Sequence, residues 1–389
     1  MLQSVFVYTC IILIMLLLAV SVKKRSMHCV DFLEHIGYRN RFWYPEVIFL
    51  ILFFSLMFGM RYNVGTDHLS YLYAYLDNSV EILRFEPLFR YITSCCIHLN
   101  IHPIIYFSIW AFVQITFFLL AFKNELYLLP LLVFFLFFNG EYLFWMNGIR
   151  QALAMCIWVY SIKYIYIKKV WRYILWCGVA FLFHKSAIIL ILLYPILKNG
   201  KGVLKNIPLQ LILFISAIVI RNVFESFILN IVGLIEMFKI IVGGYESYES
   251  YTIDLMLEET KGELEGTGLA FIAKTIVWIM IVLYSNRIKL FYNSKKINIF
   301  YFLFFIGILF EYAIPSGAIV LTRPFRYLYI FKTVMLAYFV YYLLRDKTYG
   351  YNKLLAYLII IAFIGIFYLN QINLPENNCS WFRFYFQEM

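Results

Sequence analysis

A chain of 389 residues that is 63% hydrophobic and 14% charged, with a mean hydropathy of +0.80, cannot hide its apolar surface in a water-soluble core. Soluble domains carry about 25% charged residues, so lipid must cover this chain. Its net charge of +11 comes with no soluble basic patch, which excludes a nucleic-acid surface and points to basic cytoplasmic loops.

Apolar runs predict membrane-embedded segments at 4–22, 44–60, 104–122, 127–145, 150–167, 171–184, 186–197, 207–224, 268–286, 298–316, 324–344 and 352–370. The expected fold is therefore all-α, a polytopic transmembrane helical bundle of about 11–13 embedded segments forming one domain over 1–389. Lys23, Lys24 and Arg25 follow the first run instead of preceding it, and no good cleavage site is present. Residues 2–22 thus read as a retained helix, not a signal peptide. Residues 86–99 read as an amphipathic stretch at the interface. The stretch 171–197 is too long for one ordinary span and short for two, which predicts a broken or re-entrant pair around His184 and Lys185.

Loop charges order these segments. Basic sets at 23–43, 163–172, 198–205, 287–296 and 345–353 all fall on one side if the N-terminus is extracytoplasmic. That side is cytoplasmic by the positive-inside rule, and the C-terminus is then extracytoplasmic too. The long polar loop 225–267 holds nine acids against Lys239 and Lys261, which suits the outer side. Its apolar part, 227–242, reads as a short interfacial helix. The seven cysteines form no CxxC or Cys/His cluster, so zinc and iron–sulfur sites are not expected. HExxH, DxD and GxxxxGK[ST] are absent from the sequence, so no metal and no ATP-binding domain is expected in this chain.

The outer side carries the anomaly. Arg61, Arg90, Arg150, Arg323 and Arg326 sit beside apolar helices where positive charge is least expected, together with His184 and Lys185. A helix-end arginine can snorkel to headgroups. Five near one face point instead to an anion or to buried carboxylates. Gly65 permits a turn after Arg61, and Asp67 can orient an arginine or take a hydroxyl proton. Pro87 suits the first turn of a helix, with Glu86 at its dipole. Asn147, Arg150 and Gln151 offer donors to a phosphate or a sugar. His184 is a base, a donor or a hydrogen-bonded structural residue. Arg323 and Arg326 share a helix face, with Pro324 at its start and Tyr327 beyond. A pyrophosphate suits such a pair.

The segments Arg61–Tyr71, Glu86–Phe89, Asn147–Ala154, Phe183–Ala187 and Arg323–Tyr329, in this order within a many-helix frame, resemble the EpsG family. That family is related to the Wzy-type polysaccharide polymerases of bacterial envelopes. The long loop at 225–267 sits where such polymerases keep a large loop, but it lacks an arginine motif. The resemblance implies a fold similar to GT-C-like polysaccharide polymerases. It also implies glycosyl transfer at the outer face of the bacterial cytoplasmic membrane, serving O-antigen, capsule or exopolysaccharide synthesis. Donor and acceptor would both be undecaprenyl-diphosphate-linked oligosaccharides, with no cofactor. Membrane lipids, and a flippase or a chain-length regulator, would be the other partners.

Under that reading Arg61, Arg90, Arg323 and Arg326 bind the diphosphate and Arg150 assists catalysis. His184 and Asp67 are the alternative bases, and Asn147, Gln151 and Tyr327 position substrate. A flippase for the same lipid-linked unit needs similar cations, and an envelope glycan ligase or other transferase would use the same donor. Crowding of the arginines at one face favours chemistry over transport across the depth.

Overall fold

The computed structural model describes residues 2–33, 42–78, 80–198, 205–230, 268–314, 319–372 and 381–387. In chain order the helices begin with α1 (Leu2–Leu33), α2 (Pro45–Gly59), α3 (His68–Leu76), α4 (Pro87–His98) and α5 (Pro103–Ala121). They continue with α6 (Leu129–Phe138), α7 (Glu141–Asn147), α8 (Ile149–Ser161), α9 (Lys163–Tyr166) and α10 (Val170–Phe183). After a 3₁₀ segment at Lys185–Leu192 come α11 (Leu193–Leu197), α12 (Ile207–Asn230), α13 (Leu269–Leu283) and α14 (Ser285–Tyr292). The last are α15 (Lys295–Ala313), α16 (Ile319–Arg345) and α17 (Asn352–Ile366). Two short strands, β1 (Arg61–Tyr62) and β2 (Arg383–Phe384), pair antiparallel.

This is the expected all-α polytopic membrane protein. Each predicted apolar run coincides with helical structure. Five described helices are long and apolar enough to cross a membrane, and two bent pairs raise the number to seven. Among the described residues Pro45–Gly59, Val170–Phe183, Lys185–Leu197 and Ile207–Arg221 are shorter apolar helices. In Leu126–Phe138 with Glu141–Asn147, bent by 62°, the break falls at Asn139 and Gly140. The predicted break after 183 is present: α10 ends at Phe183 and His184 is extended (φ −158°, ψ 117°).

Three boundaries differ from expectation. α1 continues past 22 to Leu33, since Lys23–Arg25 are good helix formers. α12 runs to Asn230; the remainder of the acidic loop, 231–267, lies outside the described residues. Pro324 lies inside α16 and not at its start. It is the sixth helical residue, so it removes a single backbone bond near the helix end.

The chain packs as two compact units, Met1–His184 with Leu343–Met389, and Lys185–Tyr342. In the first, α5 lies at the centre, packed on α2 and α8; α8 packs on α10, and α1 on α2 and α6. In the second, α12 packs on α15 and α13. At one end of the first unit, Phe382 N–H donates to Ser4 Oγ (3.0 Å) and Tyr385 N–H to the Met60 carbonyl (2.8 Å). The first turn of α1, the end of α2 and the C-terminal strand therefore share one side.

Candidate active site

At that same end, α2 gives way to a turn that the sequence marks with Asn63 and Gly65. Arg61 is wholly enclosed here. Its Nη1 donates to the Phe58 carbonyl (2.5 Å), Nη2 to that of Met146 (2.9 Å) and Nε to that of Val64 (3.3 Å). The guanidinium also lies over the Phe58 ring at 3.8 Å. Burial lowers its pKa to about 9, so it stays charged at neutral pH. Arg61, expected at the diphosphate, instead ties the end of α2 to the end of α7. Its donors point at carbonyls because those are the groups left unpaired where the two helices stop.

Gly65 has φ +94° and lies against Asn147, whose Cα would be 3.1 Å from any added Cβ. The Asn147 Oδ1 accepts from Thr66 Oγ1 (2.9 Å) and from the Asp67 N–H (2.8 Å). Asn147, expected to offer donors to substrate, uses its carbonyl oxygen to hold this loop. Asp67 is exposed at the start of α3. Gly65→Ala should therefore destabilise the folded protein by about 2 kcal/mol or more, through left-handed strain plus the clash. A thermal melt in detergent checks this, and an unchanged midpoint would contradict it.

Arg150 enters α8 after the Asn147–Gly148 turn, as expected. Its Nη1 meets Glu86 Oε2 at 2.5 Å and its Nε donates to the Tyr71 hydroxyl at 3.0 Å. The Phe85 ring lies 5.0 Å from the guanidinium. Glu86 occupies the N-cap of α4, with Pro87 in the first turn as predicted, but its side chain makes no cap bond. The carboxylate serves Arg150 across 64 residues of chain instead. Arg90 is half-exposed, with Nη1 on the Leu83 carbonyl at 3.3 Å. Gln151 is buried within α8. Glu86 was expected at the helix dipole and not as the partner of Arg150, and Tyr71 was given no role; a tyrosine four residues after Asp67 was its available signal.

The first unit encloses another group that sequence reasoning passed over. His68 is completely buried and stacked on Phe107 at 4.8 Å. Its Nδ1 accepts the Asn63 N–H at 3.2 Å, so Nε2 carries the proton. Burial, then the Arg61 charge, push its pKa down to about 2. The unfolded chain binds this proton near pH 6.5 and the folded one does not, so stability falls as pH falls below 6.5. Between pH 7.5 and 5 the wild type should lose about 2 kcal/mol that His68→Gln keeps. Equal acid sensitivity of the two melts would contradict this. His184, in the same unit, is buried at the end of α10.

In the second unit, α15 and α16 lie antiparallel: Phe310 stacks on Phe325 at 3.6 Å, and Gly307 faces the Leu328 backbone. Arg323 and Arg326, one turn apart near the head of α16, are half-exposed. Tyr327 is fully buried, its hydroxyl 3.0 Å from Ser186 Oγ. It can position substrate only through its neighbours. Deeper in α16, Lys332 pairs with Glu311 of α15, neither of which was selected from sequence.

The model of the EpsG family matches residues 46–384, and that span contains every one of these candidate residues. No curated protein and no solved structure matches the chain. With nearly the whole chain covered, it belongs to the EpsG family, a family of Wzy-like polymerases.

Proposed function

We propose that this protein lengthens lipid-linked oligosaccharides. It transfers the growing chain from undecaprenyl diphosphate onto the nonreducing end of a new lipid-linked unit, and undecaprenyl diphosphate leaves. The observation that carries this reading is the family match across 46–384. The basic loop sets support a reading in which the end of the first unit that holds Ser4, Arg61 and Phe382 faces the extracytoplasmic side of the cytoplasmic membrane.

Charge develops on the diphosphate oxygen as the anomeric C–O bond breaks. Guanidinium groups stabilise that charge more than the ground-state linkage, which is what accelerates the step. Arg323 and Arg326 take this role, with Arg90 at the headgroup level. Arg150, oriented by Glu86 and Tyr71, assists. His184 or Asp67 receives the acceptor hydroxyl proton, Asp67 being the exposed one. The reading needs neither metal nor nucleotide, since the leaving diphosphate supplies the driving force.

Purified protein in vesicles, given lipid-linked repeat units, should produce longer glycans and free undecaprenyl diphosphate. Movement of the units across the bilayer without bond formation would replace this reading with a flippase.

A further inference from the structure

Glu311, in the last turn of α15, and Lys332, midway along α16, form an ion pair between the two helices. In antiparallel helices each Cβ tilts toward its own N-terminus, so these two long side chains lean toward each other. The Lys332 side chain is 10% exposed and that of Glu311 30% exposed, so the pair opens on the Glu311 side. Arg326, Tyr329 and Lys332 follow at three-residue spacing along one face of α16. The Tyr329 ring lies 5.3 Å from the Arg326 guanidinium and 4.9 Å from Lys332 Nζ.

On Glu311 and Tyr329, polar atoms lack a hydrogen-bond partner among the described residues. They are Glu311 Oε2 and the Tyr329 hydroxyl, the latter on a residue only 3% exposed. Leaving such groups bare in a low-dielectric interior is costly, so they mark a place where something binds. The chemistry of that ligand is constrained. An added anion would face the Glu311 carboxylate. An added cation would face Lys332 and Arg326. A neutral group that both donates and accepts satisfies the two atoms together, and the hydroxyls of a sugar ring do this.

We infer that Glu311, Tyr329 and Lys332 form a sugar-binding subsite for the ring joined directly to the lipid diphosphate. This rests on the polymerase reading. Lys332 lies six residues beyond Arg326, about 9 Å along the helix, so a diphosphate on Arg323 and Arg326 presents its first sugar to this cluster when its prenyl chain leaves toward lipid on another side of the helix. Glu311 Oε2 accepts from a ring hydroxyl, Tyr329 donates to one, and Lys332 holds the carboxylate in place. The subsite then selects which first sugar the lipid carries.

The test uses the full-length protein in vesicles. Its probes are the parent lipid-linked unit and a set of units each lacking one hydroxyl on the first sugar. Tyr329→Phe should raise KM about three- to tenfold with kcat little changed, and Glu311→Gln should lower kcat/KM about 10- to 100-fold. For one deoxy unit the wild type should lose about tenfold, and Glu311→Gln should lose nothing further, because the contact is already gone. Because Glu311→Gln leaves Lys332 uncompensated, the neutral double variant Glu311→Gln with Lys332→Met is measured beside it. Wild-type KM in Tyr329→Phe and in the double variant, with unaltered discrimination among deoxy units, would overturn the subsite and leave ordered water as the ligand. A wild type that fails to elongate the parent unit would overturn the polymerase reading, and this inference with it.

Discussion

Alanine at Arg323 or Arg326 is expected to abolish polymer growth while protein level and membrane insertion stay normal. The two residues stand one turn apart near the head of α16 and are half-exposed. Two guanidinium groups on one helix face repel each other unless an anion lies between them, and each binds phosphate oxygens bidentately. The charge they stabilise appears only as the sugar–phosphate bond breaks. Removal of one such donor costs about 10²–10³ in rate. Lysine keeps the charge but loses the fork, so Arg326→Lys should fall between wild type and alanine. In vivo chain-length analysis beside an immunoblot of the membrane fraction measures both quantities. Full-length polymer from either alanine variant would remove that residue from the site.

The second large effect is on the fold. Glu86→Ala should destabilise the first unit by about 3–5 kcal/mol, because it leaves Arg150 beside buried apolar surface without its carboxylate. Glu86 is 3% exposed and meets Arg150 at 2.5 Å, so solvent screens this pair far less than a surface one. Removing both charges, as Glu86→Leu with Arg150→Met, should recover much of that stability, since a neutral buried pair carries no desolvation penalty. If Arg150 has the assisting role proposed above, the double variant should still polymerise poorly. Melting midpoints of the single and double variants separate the two contributions. A Glu86→Ala midpoint equal to wild type would show that the pair contributes nothing to folding.

Most helices were legible in the sequence because an apolar run of sufficient length has few alternatives to a membrane helix. The break at His184, the amphipathic α4 and the turn at Asn147–Gly148 were legible for similar local reasons. Partners were not legible. Arg61 reads in sequence as an arginine emerging from a helix, and nothing local shows that carbonyls of Phe58, Val64 and Met146 enclose it. Asn147 was read for its donors, whereas the turn after α2 uses its carbonyl oxygen. Glu86 was read as a helix cap, but its carboxylate reaches Arg150 on another helix. Glu311 and Lys332 lie 21 residues apart on separate helices, a spacing with no sequence signature. Pro324 was read as a helix start because proline favours that place, although it is tolerated a few residues further on where one lost bond matters little.

Arginines near the head of α16 gripping one lipid diphosphate at the outer membrane surface are the centre of this account. The most direct measurement is a structure of the protein with undecaprenyl diphosphate bound in a lipid nanodisc. The account predicts the phosphorus atoms within about 4 Å of both the Arg323 and Arg326 guanidinium groups, with the prenyl chain entering the bilayer beside α16. Diphosphate density elsewhere, with Arg323 and Arg326 facing separate lipid surfaces, would contradict it.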